Sequence, residues 1–205
     1  EAFAPAGLPP LGELGVEGSL PAFVSSFGPR NLTVLNQLYG ATLGDLAAEV
    51  VRAVVAAVAA DAGPGARAVR AHGPDVLVLH GESPRADVEA LARRGRDVLA
   101  GVALPAGAGL VHLRPLVATV ELRPSARYST DELLRTLHEA RQLAGRSDEG
   151  VLFLGAEEAQ EALGRLRAHD ERLAWVTEAL SHGRVDVHFQ PVVDLRTGRL
   201  ADVEA

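Results

Sequence analysis

The broadest apolar stripe in the chain runs from Thr42 to Ala60, where Leu43, Leu46, Ala47, Val50, Val51, Val54, Val55 and Val58 recur at helical spacing. Such a face must turn to a core, so this stretch predicts a helix, and Ala62-Gly63-Pro64-Gly65 ends it. Leu163, Leu166, Leu173, Val176 and Leu180 form a second stripe, predicting a long helix over 156–181 that Gly183 stops. Shorter patterns fill the space between. Ala22 to Phe27 reads as a strand ended by Gly28-Pro29, followed by a helical stretch carrying Leu32, Leu35 and Leu38. Ala66–Arg70 and Val76–Leu79 read as antiparallel strands joined by a hairpin turn at His72-Gly73-Pro74. Pro84–Leu99 predicts a helix, Leu110–Leu122 one or two strands, Thr130–Ala144 a helix opening on Thr-Asp-Glu, and Val151–Leu154 a strand. Val185–Val193 predicts a further strand, and Arg196-Thr197-Gly198 a turn into a last one ending at Glu204. The fold expected is α/β (α+β), with mixed strand directions.

Composition narrows the chemistry. The chain has 205 residues with 47% hydrophobic content, enough for one ordinary domain and part of another. It has no cysteine, which removes disulfides, thiolate metal sites and thiol nucleophiles and suits a reducing cytoplasm. A net charge of −7 with scattered arginines argues against a nucleic-acid partner. No membrane insertion is expected in this segment: Ala53–Ala60 is too short, and Pro105 and several glycines break Val98–Leu113. Pro5, Pro9, Pro10 and the glycines of residues 1–20 read as a linker. Both ends are expected to be cut from a longer protein, whose upstream part is free to carry a membrane anchor.

Two segments carry a family resemblance. Phe189-Gln190-Pro191-Val192-Val193-Asp194-Leu195, then Thr197-Gly198 and Glu204-Ala205, resemble the opening strands of the EAL family of cyclic di-GMP phosphodiesterases. Upstream, Asn36-Gln37-Leu38-Tyr39-Gly40-Ala41-Thr42-Leu43-Gly44-Asp45 resembles the segment N-D-x-Y-G-H-x-x-G-D of GGDEF diguanylate cyclase domains. Arg70-Ala71-His72-Gly73-Pro74-Asp75-Val76 falls where that family has R-x-G-G-D-E-F, and Gly7-Leu8-Pro9 resembles its T-G-L-P-N-R entry, with Pro10 and Leu11 at the Asn and Arg positions. The resemblance implies a nucleotidyl-cyclase-like mixed sheet flanked by helices, then a long connecting helix and a truncated β-hairpin. The divisions expected are a lead-in over 1–20, a degenerate GGDEF-like domain over 21–155, a connecting helix over 156–182, and the start of an EAL domain over 183–205.

The residues implied by the resemblance divide unevenly. Working cyclases join two GTP molecules with magnesium held by carboxylates. The first of those ligands falls at about Gly28 and another at Pro74, neither of which has a side-chain oxygen. The signature positions His72, Gly73, Pro74, Asp75 and Val76 are therefore read as degenerate, with Asp75 and His72 simpler as solvated turn residues than as lone cation ligands. The guanine-reading positions are kept as Asn36 and Asp45, a pair able to complement the base edge. The competing reading is local: Asn36 ends one helix and Asp45 caps the next. The product-inhibition motif R-x-x-D would fall at Gly63 and Ala66 and is absent, and neither Asp61 nor Arg67 restores its spacing.

In the EAL segment, Gln190 matches a substrate-contacting residue and Glu204 a metal-ligating carboxylate, which would serve a phosphodiesterase only in the longer parent, with Mg2+ or Mn2+ and cyclic di-GMP as substrate. No catalytic residue and no firm cofactor is expected within these 205 residues. The function expected is a regulatory, catalytically inactive domain that takes a guanine nucleotide, GTP, and modulates a following EAL phosphodiesterase. The alternatives are an enzyme, as residual cyclase or as phosphodiesterase in the parent, and a purely structural domain that pairs as a homodimer through 156–181.

Overall fold

The structure is a computed structural model that describes residues 21–71, 73–123, 128–184 and 190–204. Within these the chain divides into two compact units, Glu1–Gly164 and Arg165–Ala205. The first is built on a five-stranded sheet. Its elements are β1 (Phe23–Pro29), α1 (Leu32–Tyr39), α2 (Ala41–Asp61), β2 (Ala66–Arg70), β3 (Val76–His80), α3 (Arg85–Gly101), β4 (Ala103–Ala106), β5 (Gly109–His112), β6 (Pro115–Glu121), α4 (Thr130–Ala144), β7 (Val151–Leu154) and the start of α5 (Ala156–Ser181). The strand order is β2-β3-β1-β6-β7. β1 is central, antiparallel to β3 and β6, whereas β6 and β7 run parallel.

Alternation along β1 sorts the two layers. Phe27, Val76, Val78 and Val117 face the α2 and α3 side and pack with Val51, Val55, Leu91 and Leu99. Val24, Leu77, Leu79 and Val120 face the other side and pack with Leu133 and Leu137 of α4 and Ala159 of α5. Most of the Thr42–Ala60 stripe is thus spent: Leu43, Ala47, Val51, Val55 and Val58 are buried and Val50 and Val54 partly so, while Leu46 is exposed. α4 starts on a full capping box, with Ser129 Oγ accepting from Glu132 N and the Glu132 carboxylate accepting from Ser129 N.

The region Leu110–Leu122 resolves into two strands, and a strand that no sequence pattern marked, β4, pairs with the first of them in a separate two-stranded sheet. Four residues containing Pro105 carry too little alternation to be read as a strand without their partner.

The second unit holds the rest of α5 and the hairpin β8 (Gln190–Val193) and β9 (Leu200–Glu204). Leu173, Trp175, Val176 and Leu180, the far half of the α5 stripe and its neighbour, are exposed. The hairpin turn is organised by Asp194, whose carboxylate accepts from Arg196 N at 2.7 Å and Thr197 N at 3.3 Å. Those backbone donors hold the Asp194 carboxyl below its ordinary range. Gly198, at φ 66°, closes the turn. The expected strand from Val185 lies outside the described residues as far as position 189, as do the lead-in and Ala205.

Candidate functional site

Gly28 and the signature turn meet at the end of β1. Phe27 pairs with Val76, so one step further Gly28 faces Asp75 at the base of the β2–β3 turn. The turn is closed by Ala71 N donating to Asp75 O at 3.0 Å, with Gly73 at φ 66° and Pro74 half-buried. His72, the other signature position in the turn, lies outside the described residues. Beyond Pro29 the chain enters α1. Its first turn is fixed by Asn31, whose amide donates to His112 O at 3.1 Å while its side-chain oxygen accepts from Arg114 N at 3.0 Å.

α1 and α2 meet at Gly40, whose φ of 85° and ψ of 167° belong to a region open only to glycine. This bend lays α1 against the start of α2. The side-chain oxygen of Asn36 then rests directly over Gly44, in the space a β-carbon there would fill. Asp45 follows on the same helix, and both Asn36 and Asp45 are exposed. The local reading holds for Asn36, which lies in the last turn of α1 with its carbonyl accepting from Gly40 N at 3.0 Å, and fails for Asp45. α1 continues through Asn36 to Tyr39, and α2 begins at Ala41, which leaves Asp45 beyond the first turn; that turn holds no acidic residue and no side-chain cap.

At the Gly28 end the arrangement differs. Arg141 reaches across from α4, placing Nη1 at 2.6 Å from Asp75 Oδ2 and 3.3 Å from Ser26 Oγ, both on the same side of the sheet. The pair is mostly buried, with side-chain exposures of 14% for Arg141 and 25% for Asp75. It stands on Gly28: a β-carbon there would collide with Asp75 Oδ1 and lie 2.5 Å from Arg141 Nη1.

A divalent cation does not fit these side chains. Gly28 and Pro74 offer no oxygen, the Asp75 carboxylate is taken by a guanidinium, and no group of three potential ligands occurs among the described residues.

No motif in the sequence singles out Arg141. Its signal is positional. Leu133, Leu137, Ala140 and Ala144 form the buried stripe of α4, and Arg141, four residues after Leu137, stands beside that stripe. A cation there requires a buried acidic partner. The product-inhibition positions lie elsewhere, Gly63 in the α2–β2 loop and Ala66 at the start of β2. Nearby, Asp61 and Arg94 form a 2.7 Å ion pair between α2 and α3.

Another polar cavity, of about 300 Å³, lies on the α3 side and is lined by Arg85, Glu89, Arg93, Thr119, Glu149 and Phe153 among others. Its cations are neutralised internally. Glu89 pairs with Arg85 at 2.8 Å and Arg93 at 3.2 Å, and the Arg85 hydrogen bond foremost holds its carboxyl below the usual range. Arg85 also lies 4.0 Å over the Phe153 ring. In the second unit, Gln190 and Glu204 sit opposite each other in the β8–β9 register.

No protein-family model matches the chain, and no curated protein is significantly similar to it in sequence. Solved structures do share its fold. The diguanylate cyclase SiaD of Pseudomonas aeruginosa, solved with its activator SiaC, superposes with a TM-score of 0.53 at 19% identity over 64% of this chain and 49% of SiaD. This chain therefore spans about half of that protein. The GGDEF domain of DgcB from Caulobacter crescentus, solved with cyclic di-GMP, gives 0.56 at 16% identity over 66% of this chain and 77% of that one. An EAL/GGDEF domain protein from M. capsulatus gives 0.52 at 18% identity, covering 67% and 86%. The fold is the nucleotidyl-cyclase-like fold of GGDEF domains, a mixed central sheet flanked by helices, as the sequence led us to expect.

Proposed function

We propose that this chain contains a regulatory, catalytically inactive GGDEF-like domain of a cyclic di-GMP signalling protein, one that binds a guanine nucleotide, GTP, and modulates a following EAL phosphodiesterase domain. The observation that carries the reading is the unequal state of the two halves of the site. At one half, Asp75 and Arg141 close over Gly28 and leave no carboxylate set for the two-metal chemistry of phosphoryl transfer. At the other, Asn36 and Asp45 remain exposed on α1 and α2, with the Asn36 amide seated on Gly44. A carboxylate can accept from guanine N1 and N2 while an amide offers both donor and acceptor, so the pair suits guanine over adenine. The fold shared with cyclase domains supports a nucleotide as ligand, and the resemblance of the segment from Phe189 to Ala205 to the opening of EAL domains supports such a domain as neighbour.

The test is a titration of the chain with GTP and with ATP by calorimetry, alongside an assay for cyclic di-GMP formed from GTP and magnesium. Saturable GTP binding that Asn36→Ala and Asp45→Ala each weaken, with no product formed, is the expected result. Absence of binding at millimolar GTP sinks the sensor reading, and accumulation of cyclic di-GMP overturns catalytic inactivity.

A further inference from the structure

The Asp75–Arg141 pair does more than leave a metal site incomplete. Two acidic ligands and a divalent cation form a compact charge cluster, and a chain that loses the ligands must still neutralise whatever carboxylate remains in a half-buried setting. Here the remaining carboxylate is Asp75, and the charge set against it is a guanidinium on a helix that packs on the same face of the sheet. The space it uses is the space Gly28 leaves, since any side chain at 28 would meet Asp75 Oδ1 and Arg141 Nη1. Gly28 thus makes the room that the Asp75–Arg141 pair occupies. The pair is also only partly satisfied: Asp75 Oδ1 and Arg141 Nε are buried and have no hydrogen-bond partner among the described residues. The Arg141 side chain keeps 14% of its surface exposed, and a guanidinium fixed there is a positive centre that an oxyanion can approach.

We propose that Arg141 takes the place of the divalent cation at the end of β1, so that the site refuses Mg2+ and Mn2+ and holds the phosphates of a nucleotide without them. The nucleotide half of this inference rests on the guanine-binding reading above; the cation half stands on the ion pair alone.

The experiment has two arms, both on the whole chain. In the first, Mn2+ alone is the probe, followed by electron paramagnetic resonance and thermal melting. The wild type and Gly28→Asp are expected to show neither bound Mn2+ nor a melting shift. Gly28→Asp/Arg141→Ala, in which the introduced carboxylate and Asp75 share an emptied space, is expected to bind Mn2+ and gain roughly 5 °C. Binding of Mn2+ by the wild type that Asp75→Asn abolishes would overturn the proposal, as would a folded double variant that ignores the ion. In the second arm, GTP affinity of the wild type is measured in EDTA and in Mg2+. Equal affinities, with a fall of about tenfold in EDTA for Arg141→Gln, are expected, and a requirement for Mg2+ refutes the idea. If no GTP binds under either condition, the guanine reading is lost, while the Mn2+ arm still decides whether Arg141 excludes the cation. Should the double variant fail to fold, the wild-type Mn2+ measurement makes that decision alone.

Discussion

The side-chain oxygen of Asn36 lies against Gly44, occupying the space where a β-carbon at that position would begin. Gly44 is buried in α2 with ordinary helical geometry, so its lack of a side chain serves contact with Asn36 and not backbone freedom. Asn36 is exposed and can swing away. Gly44→Ala is therefore expected to keep or raise stability, by up to about 0.5–1 kcal/mol from helix propensity, while GTP affinity falls by about tenfold as the amide leaves its place. Urea unfolding and a GTP titration on the same variant check both. A variant that loses stability and binding together would mean Asn36 is held for packing.

How much of this site could be read from the sequence depends on whether its residues announce themselves locally. Asn36, Gly40, Gly44 and Asp45 lie within ten positions of one another, and their spacing is set by two helices and the bend between them, so the segment was legible as a unit. That Gly28 and Pro74 carry no side-chain oxygen was equally plain, because it follows from residue identity alone. The partner of Asp75 was not. Arg141 lies far along the chain from Asp75, and only the packing of α4 on the sheet brings them together. The same holds for β4, which exists as a strand only through its pairing with β5. Local periodicity reported the layers; long-range ion pairs and short strands depend on partners that periodicity does not name.

Gly95 offers a test of the core beneath the site. It sits within α3, and a β-carbon there would lie 2.7 Å from Cε1 of Phe27, a ring with no exposure in the central strand. Phe27 also precedes Gly28, so its placement fixes where the site begins. Unlike Asn36, this ring has no open space to move into. Gly95→Ala should destabilise the domain by about 1–3 kcal/mol, outweighing the roughly 1 kcal/mol that alanine gains in a helix. Equilibrium urea unfolding measures it, and an unchanged midpoint would show that α3 can shift outward at no cost.

A last prediction concerns pH. His80 is buried on β3, where Nε2 lies 3.0 Å from Ser25 Oγ on β1, and Ser25 Oγ in turn lies 2.8 Å from Thr119 Oγ1 on β6. The three side chains tie the central strands together on the α2 and α3 side, and Thr119 donating to Ser25 and Ser25 to a neutral imidazole satisfies the chain of hydroxyls. Burial disfavours the charged ring and lowers its pKa from 6.5 to about 4. Between those values the unfolded chain binds a proton that the folded one does not, so stability is undiminished above about pH 6.5 and is lost progressively as pH falls towards about 4. The loss attributable to this ring approaches about 3 kcal/mol. His80→Gln removes the titration while leaving a group able to accept from Ser25, so its stability, lower at neutral pH, should fall less than the wild type's between pH 7 and pH 4.5. The carboxylates common to both proteins cancel in the difference between the two curves. Parallel curves would show that His80 is not the group whose protonation unseats the sheet.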